Sequence, residues 1–435
     1  MSMPELAERA GETHVQEGSP STVAKPVSDH YRGEIDAAAQ ANLYAKLAWI
    51  AVGIFLIGLG ISAVMRSQSD FYIYRDAGIH AAAGKPIYDL SDLSPFQHAP
   101  IYALLFVPFG WMPLRWAQAV WFLFSTAVAL PMLIIGNGRL LFGRNAALRA
   151  ELVLLPVLLC VRFILPSLDH GQTDFIVLAL ISWGLAFANE SRPLAAGGLL
   201  AASVLIKPLG LVPLVYLTIR RRWSVIVWSA SFGLLLIAAP ILVFGTRGTV
   251  AQTHAYVTSL SQRVHTQRLL HDLSSPNDQS ATAIAVRILS HRKGGLGLMD
   301  TGAAANAGFI FQMALMLLVA WWAARHADTH GDGGLLATGA IFTLIPAIIP
   351  TAWMGYYSAL MVSYMALIAI ACAKPLLESP RARIAAGGMA ASFAVIVGSR
   401  FVASALFYGA PYVGSLITLA AIVWIAGAAA GPGHA

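Results

Sequence analysis

The sequence predicts an all-α polytopic membrane protein, and three observations carry that prediction. Of its 435 residues, 57% are hydrophobic and only 11% are charged, against about 25% charged in a typical soluble domain. The mean hydropathy is +0.68. Apolar runs of spanning length recur along the chain, and about 20 mostly apolar residues suffice to cross a bilayer. So charge-poor a composition excludes a disordered chain, a soluble enzyme and a nucleic-acid binder. Cys160 and Cys372 both lie within apolar runs, leaving no disulfide framework or zinc site to argue.

Residues 1–40 read as a flexible cytoplasmic tail. Acids outnumber bases there seven to three, and no apolar core of a signal peptide is present. Residues 41–435 then form a single transmembrane domain. Spans are predicted near 44–64, 116–136, 150–165, 171–188, 223–244, 305–325, 334–349, 353–373, 385–405 and 411–430. Two further apolar segments are interrupted by proline: 99–114, with Pro100, Pro108 and Pro113, and 194–219, broken at Lys207-Pro208 and again at Pro213. The sum is about 10–12 transmembrane or re-entrant helices. No internal repeat supports an inverted-repeat transporter.

Positive charge in short loops sets orientation. Arg139, Arg144 and Arg149, then Arg220-Arg221-Arg222, then Lys374, Arg381 and Arg383 are expected in the cytoplasm. All three clusters share that side only if each proline-broken segment enters and leaves on one side, as a dip tolerated where broken backbone is buried or lines a wet cavity. Five connections then face outward: 65–98, 166–171, the Lys207-Pro208 break, 245–304 and 350–353.

The unusual chemistry collects in those outward segments. Asp70-Phe71-Tyr72-Ile73-Tyr74-Arg75-Asp76 follows the first span, leading to Gly84-Lys85-Pro86-Ile87-Tyr88. A short connection holds Asp169-His170-Gly171-Gln172-Thr173-Asp174. Lys207-Pro208 interrupts the broken segment. The long loop carries Asn277-Asp278-Gln279-Ser280 and then Arg287. Last comes Pro350-Thr351-Ala352-Trp353-Met354-Gly355-Tyr356-Tyr357.

At these residues the chain resembles glycosyltransferase family 87, the polyprenyl-phosphate-sugar-dependent membrane enzymes of the C-type fold, which include mycobacterial mannosyl- and arabinofuranosyltransferases. The shared pattern is an Asp and Tyr after the first helix, Gly-x-x-x-Tyr, Gly-Gln, Lys-Pro, Asn-x-Gln-Ser and Pro-x-x-Trp, in order over residues 44 to about 375. The resemblance implies a C-type glycosyltransferase fold and transfer of a sugar from a lipid-phosphate donor to an acceptor hydroxyl at the outer membrane face. One departure is plain. Where relatives commonly carry one or two His after the Trp, this chain has Gly355, Tyr356 and Tyr357.

Such a reaction needs one carboxylate base, cations for the departing phosphate and polar groups for sugar hydroxyls. Asp70 is the expected base, against the plainer reading of a helix N-cap. Tyr74 follows it one turn later on the same face of a helix. Lys207 is the expected phosphate cation, because a lone lysine in an apolar stretch costs about 2.5–3.5 kcal/mol at mid-membrane; the plainer reading has it satisfying carbonyls freed by Pro208. Arg287 is the second phosphate candidate, as a bidentate fork. His170, Gln172, Asn277, Gln279 and Trp353 are expected at the sugar or acceptor, while Asp169 and Thr173 are expected to cap the following helix and Tyr357 to sit in the interfacial aromatic belt. Two acids near one His within six residues is too unspecific a pattern to argue a metal, and no cofactor is called for.

The expected protein is therefore a multi-pass glycosyltransferase of a bacterial plasma membrane, its active site facing the periplasm or outside. It takes a polyprenyl-phosphate sugar, with mannose the first choice, and a lipid or glycan acceptor. Its other partners are membrane lipids and no nucleic acid, and it works as a monomer. The alternative is a transporter or flippase of a polyprenyl-linked or lipid substrate, which also needs broken helices and buried cations.

Overall fold

A computed structural model describes residues 68–88, 96–144, 148–265, 272–291, 294–328 and 332–429, together with Gly53, Gly58 and Ile61. The tail 1–40 and most of the expected span near 44–64 lie outside the described residues. In chain order the helices are α1 (Ser69–Ala82), α2 (Pro100–Leu105), α3 (Val107–Gly110), α4 (Leu114–Phe142), α5 (Ala150–Leu159) and α6 (Val161–Asp169). There follow α7 (Asp174–Asn189), α8 (Pro193–Ile206), α9 (Leu211–Ile219), α10 (Trp223–Ala238), α11 (Ile241–His265) and α12 (Ala281–Leu289). The last six are α13 (Thr301–His326), α14 (Gly333–Leu344), α15 (Leu360–Cys372), α16 (Pro380–Gly398), α17 (Ala403–Phe407) and α18 (Ala410–Ala429). Among the described residues there is no strand beyond one isolated bridge, Ser290 with Met299.

The protein is an all-α polytopic membrane protein. Among the described residues five helices are long and apolar enough to cross a bilayer, and seven if each of two bent pairs is one span. The bent pairs correct two sequence expectations. The span near 150–165 is two helices, α5 and α6, meeting at 68° around Cys160, and α10 turns by 90° into α11 at Pro240. Part of the 245–304 connection is thus helical, kinked at Gly245, whose φ of 65° suits a residue without a Cβ. The break at Lys207 is present, whereas Pro213 does not break α9. It falls in the first turn of that helix, where a missing N–H leaves no hydrogen bond unmade.

The helices are held as membrane helices are, by close backbone approach and buried hydroxyl bonds. Gly197 of α8 abuts Trp228 and Ser229 of α10, where a Cβ would lie 2.5 Å from the Trp228 side chain. Ser182 donates to Asn137 at 2.6 Å between α7 and α4, and Ser392 of α16 links Tyr364 and Thr418 at 2.8 and 3.0 Å. Outward, Val227, Leu234 and Leu235 of α10 and Ile310, Leu317 and Leu318 of α13 are all exposed, as lipid-facing side chains are.

Two sets of connections gather separately. Arg220 pairs with Asp328, and Arg381 with Asp332 at 2.9 Å, tying together the turns that end α9, α13 and α15. Arg139 and Glu190 make a two-pronged bond at 2.6 and 2.7 Å. The other ends of α7, α8, α12 and α14 meet at Asp174, Lys207, Ser280 and Pro350. Helices α7 and α8 have 16 and 14 residues, about 24 and 21 Å at 1.5 Å per residue. A hydrocarbon core is about 30 Å thick, so neither helix alone is long enough to cross it.

Candidate active site

The first group of side chains forms where α1 begins. Asp70 lies in the first turn of α1, whose N-cap is Gln68, and it makes no capping bond. Instead its Oδ2 accepts from Gln172 Nε2 at 2.8 Å and its Oδ1 from Ser69 Oγ at 3.2 Å. The 169–174 turn is docked onto this helix start: His170 O accepts the N–H groups of Asp70 and Phe71 at 3.1 and 3.3 Å, and the imidazole Nδ1 of His170 is 3.0 Å from Ser69 Oγ. Gly171 turns the chain at φ 68°, with Phe71 and Gln68 filling the space a Cβ would need. Trp121 fixes the same turn by donating to Gly171 O at 2.8 Å. Ser69 and His170 are exposed, so Asp70 stands at a boundary between packed protein and open surface.

Close to Gln172 lies a buried ion pair. Lys207 Nζ is 2.5 Å from Asp174 Oδ1, and Ser167 Oγ donates to Asp174 Oδ2 at 2.5 Å. Asp174 is fully buried and Lys207 is 5% exposed. The backbone at Lys207 is extended, with φ −147° and ψ 138°, which aims the side chain across to α7 rather than along its own helix. Its ammonium faces the ring of Tyr356 at 4.6 Å, a cation–π arrangement. Lys207 therefore answers a carboxylate and an aromatic face, and none of its contacts is a carbonyl freed by Pro208. Gly355 closes this centre: a Cβ there would lie 2.0 Å from Asp174 Oδ2, 2.2 Å from Ser167 Oγ and 2.9 Å from Gln172 Oε1. As the neighbours stand, Gly355 has no room for any side chain.

Tyr74 stands one turn beyond Asp70 and is buried, its ring 5.2 Å from those of His98 and Tyr102. Burial, with Tyr102, Asp70 and Asp174 adding to it, pushes its phenol well above the ordinary range, so it stays a neutral hydroxyl. His98, not singled out in the sequence, joins this aromatic group and bonds Ile206 O through Nδ1 at 2.7 Å, beside the Lys207 break.

A second buried group surrounds the Asn277-Asp278-Gln279-Ser280 motif. Asp278 Oδ1 accepts the N–H groups of Ser280 at 2.9 Å and Ala352 at 2.8 Å. Gln279 N donates to Ala352 O at 2.8 Å, and Ser280 Oγ donates to Pro350 O at 2.6 Å while capping α12 through Ala283 N. Arg287 is 2% exposed and donates to Phe407 O through Nε at 2.8 Å and to Ser275 O and Asp278 O through Nη1, both at 2.7 Å. Gln279 Nε2 is held by the carbonyls of Pro276 and Leu406. Arg287 and Gln279 thus brace a loop, and none of these partners belongs to the Asp70 group. Asn277 is exposed, and Trp353 is half-buried on the segment between the two groups. Tyr357 is no belt residue: it is 1% exposed, packs on Phe163 and donates to Gln279 O at 2.6 Å. Thr173 likewise makes no side-chain capping bond to α7.

The described parts of these connections pack against one another, with the 350–357 segment touching both groups. Sequence reasoning missed Asp174 as a partner. A charged residue in the first turn of an apolar helix was the available signal, yet it also fits an ordinary helix N-terminus.

The candidate site of this all-α membrane protein thus holds a half-exposed carboxylate, Asp70, and a buried Lys207–Asp174 pair. Residues 96–347, more than half of the chain, match glycosyltransferase family 87, and the chain belongs to that family. Comparison with curated proteins and with solved structures gives no match. The protein is thus a membrane glycosyltransferase with a sugar donor and an acceptor.

Proposed function

We propose that this glycosyltransferase moves a sugar, mannose in the first instance, from a polyprenyl-phosphate donor to a hydroxyl of a lipid or glycan acceptor at the outer face of a bacterial plasma membrane. The observation that carries the reading is that Gln172, which holds Asp70 at the open surface, and Asp174, which holds the buried Lys207, both crowd the same space at Gly355. The match to the family begins at residue 96, so Asp70 rests on this geometry and not on the match.

In the proposed step the acceptor O–H gives its proton to Asp70 while its oxygen bonds the anomeric carbon. The bond from that carbon to the phosphate oxygen breaks, and polyprenyl phosphate leaves with the electron pair. In-line displacement inverts the anomeric centre. Gln172 holds one carboxylate oxygen of Asp70 and leaves the other toward Ser69 and the surface, which fixes the direction from which the hydroxyl arrives. An ammonium has three donors. Asp174 takes one of those of Lys207 and Tyr356 faces the group from another side, leaving a donor for a phosphate oxygen. Because α7 and α8 are each too short to cross the hydrocarbon core, the reading places the centre at a depth that a lipid-borne phosphate reaches by lateral diffusion. His170 and Tyr74 flank the carboxylate as groups for sugar or acceptor hydroxyls, with Trp353 and Asn277 nearby on the bracing segments. Arg287 spends Nε and Nη1 on carbonyls, while its buried Nη2 makes no bond among the described residues and is the donor left for a phosphate oxygen.

The test is incubation of purified protein with labelled polyprenyl-phosphate mannose and a membrane lipid extract. A labelled lipid or glycan product supports the proposal. Product only from the corresponding arabinofuranose donor overturns the sugar, and silence with both donors overturns the reaction.

A further inference from the structure

A cavity of about 520 Å³ opens at the opposite end of α9 and α13 from the Lys207 centre, lined by Arg220, Arg221, Arg222, Trp321, Arg325 and Asp328 among others. That volume falls within the about 300–1,000 Å³ typical of small-molecule sites. Twelve residues separate Lys207 from Ile219 along the chain, about 18 Å at helical rise, so this cavity is remote from the transfer chemistry.

Its charge is lopsided. Four guanidinium groups face one carboxylate, and Asp328 is already paired with Arg220, which also donates to the Tyr216 hydroxyl at 3.3 Å. Arg221 and Arg222 have no side-chain partner among the described residues, and the Arg325 guanidinium sits over the Trp321 ring at 4.3 Å. Arg221 holds φ at 55°, the left-handed region that a non-glycine residue rarely adopts, within a turn that presents three consecutive arginines. The mouth of the cavity continues along α13 onto Leu318 and Leu317, both exposed, with Leu318, Trp321 and Arg325 at helical spacing on one face. An anion whose body is apolar fits that sequence of surfaces: planar forks for phosphate oxygens, an indole at the interface, then an aliphatic strip for chains. We propose that this cavity binds the phosphate headgroup of an anionic glycerophospholipid, whose acyl chains lie along α13.

The probes are phosphatidylglycerol, phosphatidylcholine and inorganic phosphate, each added to the detergent-purified full chain while its thermal midpoint is recorded. Phosphatidylglycerol is expected to raise the midpoint in a saturable way, and the other two to leave it unchanged. The variant carrying Arg221→Gln, Arg222→Gln and Arg325→Gln keeps the Arg220–Asp328 pair. It is expected to need at least tenfold more phosphatidylglycerol for the same rise, and native mass spectrometry of the variant is expected to lose bound phosphatidylglycerol. Equal stabilisation by phosphatidylcholine, equal stabilisation by inorganic phosphate, or undiminished lipid retention by the variant would each overturn the proposal.

Discussion

Gly355 and Asp174 occupy one space: a Cβ on Gly355 would stand 2.0 Å from Asp174 Oδ2. The backbone of the 350–357 segment therefore lies directly on the carboxylate that holds Lys207, and neither can move alone. Gly355→Ala must displace Asp174, Ser167 or its own chain. Overpacking of this kind costs about 1–3 kcal/mol. We expect a lowered thermal midpoint in detergent and a turnover loss larger than that of Tyr356→Ala or Tyr357→Ala, which truncate the two neighbouring side chains. An unchanged midpoint together with unchanged turnover would show that the segment is not seated on this centre.

Lys207 and Asp174 should behave as a unit. Removing one partner of a buried ion pair strands the other and costs about 3–5 kcal/mol, whereas replacing both with apolar groups is often neutral. Lys207→Met and Asp174→Leu are each expected to lower stability strongly, and the double variant to recover most of it. Turnover should not recover in the double variant, because it lacks the Lys207 ammonium proposed to face the phosphate. The double-mutant cycle, read by thermal midpoint and by transfer rate in parallel, separates these effects. Additive stability losses would contradict the pairing.

Asp278 predicts a pH dependence. Burial raises its carboxyl to about 6, against the opposing pull of the Ser280 and Ala352 N–H bonds. A folded value above the unfolded one means that the folded state binds more protons between about pH 4 and 6. Stability therefore falls as pH rises through that window and levels off above it, by about 3 kcal/mol for a shift of this size. Asp278→Asn keeps an oxygen for both N–H groups and removes the charge. Thermal midpoints measured from pH 4 to 8 should slope downward for wild type and much less for the variant; equal slopes would remove Asp278 as the cause.

Arg287 is expected to act through the loop it braces. Arg287→Lys retains the charge but reaches fewer of the Ser275, Asp278 and Phe407 carbonyls, and each buried carbonyl left unpaired costs about 1–3 kcal/mol. Yield and thermal midpoint should fall, while transfer per folded molecule stays near wild type. A selective loss of turnover in a fully stable variant would instead return Arg287 to the donor phosphate.

The sequence made the class of fold, the break at Lys207 and the membrane character legible, because each rests on local hydrophobic pattern or on the expense of a charge in apolar surroundings. Asp70 and Gln172 were both visible as polar residues in outward connections. Their bond, across 102 positions, was not. Lys207 announced that it needed a partner without saying which, since Asp174 looks equally like an acid at a helix start. Gly355 read only as a departure from the family pattern, and its meaning is a distance to side chains on α6 and α7. The 68° bend at Cys160 had no signal in hydropathy, because both arms are apolar. The carbonyl partners of Arg287 were illegible for the opposite reason: guanidinium geometry suits phosphate oxygens and main-chain carbonyls alike, and only the fold decides which are near.

Asp70→Asn tests the proposed chemistry most directly. The amide preserves shape and can still meet Gln172 and Ser69, yet it cannot accept the proton of the acceptor hydroxyl, a contribution of about 10²–10⁴ in rate. Transfer from labelled polyprenyl-phosphate sugar should fall by at least that lower bound, with the thermal midpoint unchanged. An Asp70→Asn protein that keeps a tenth or more of wild-type turnover would show that Asp70 is not the base.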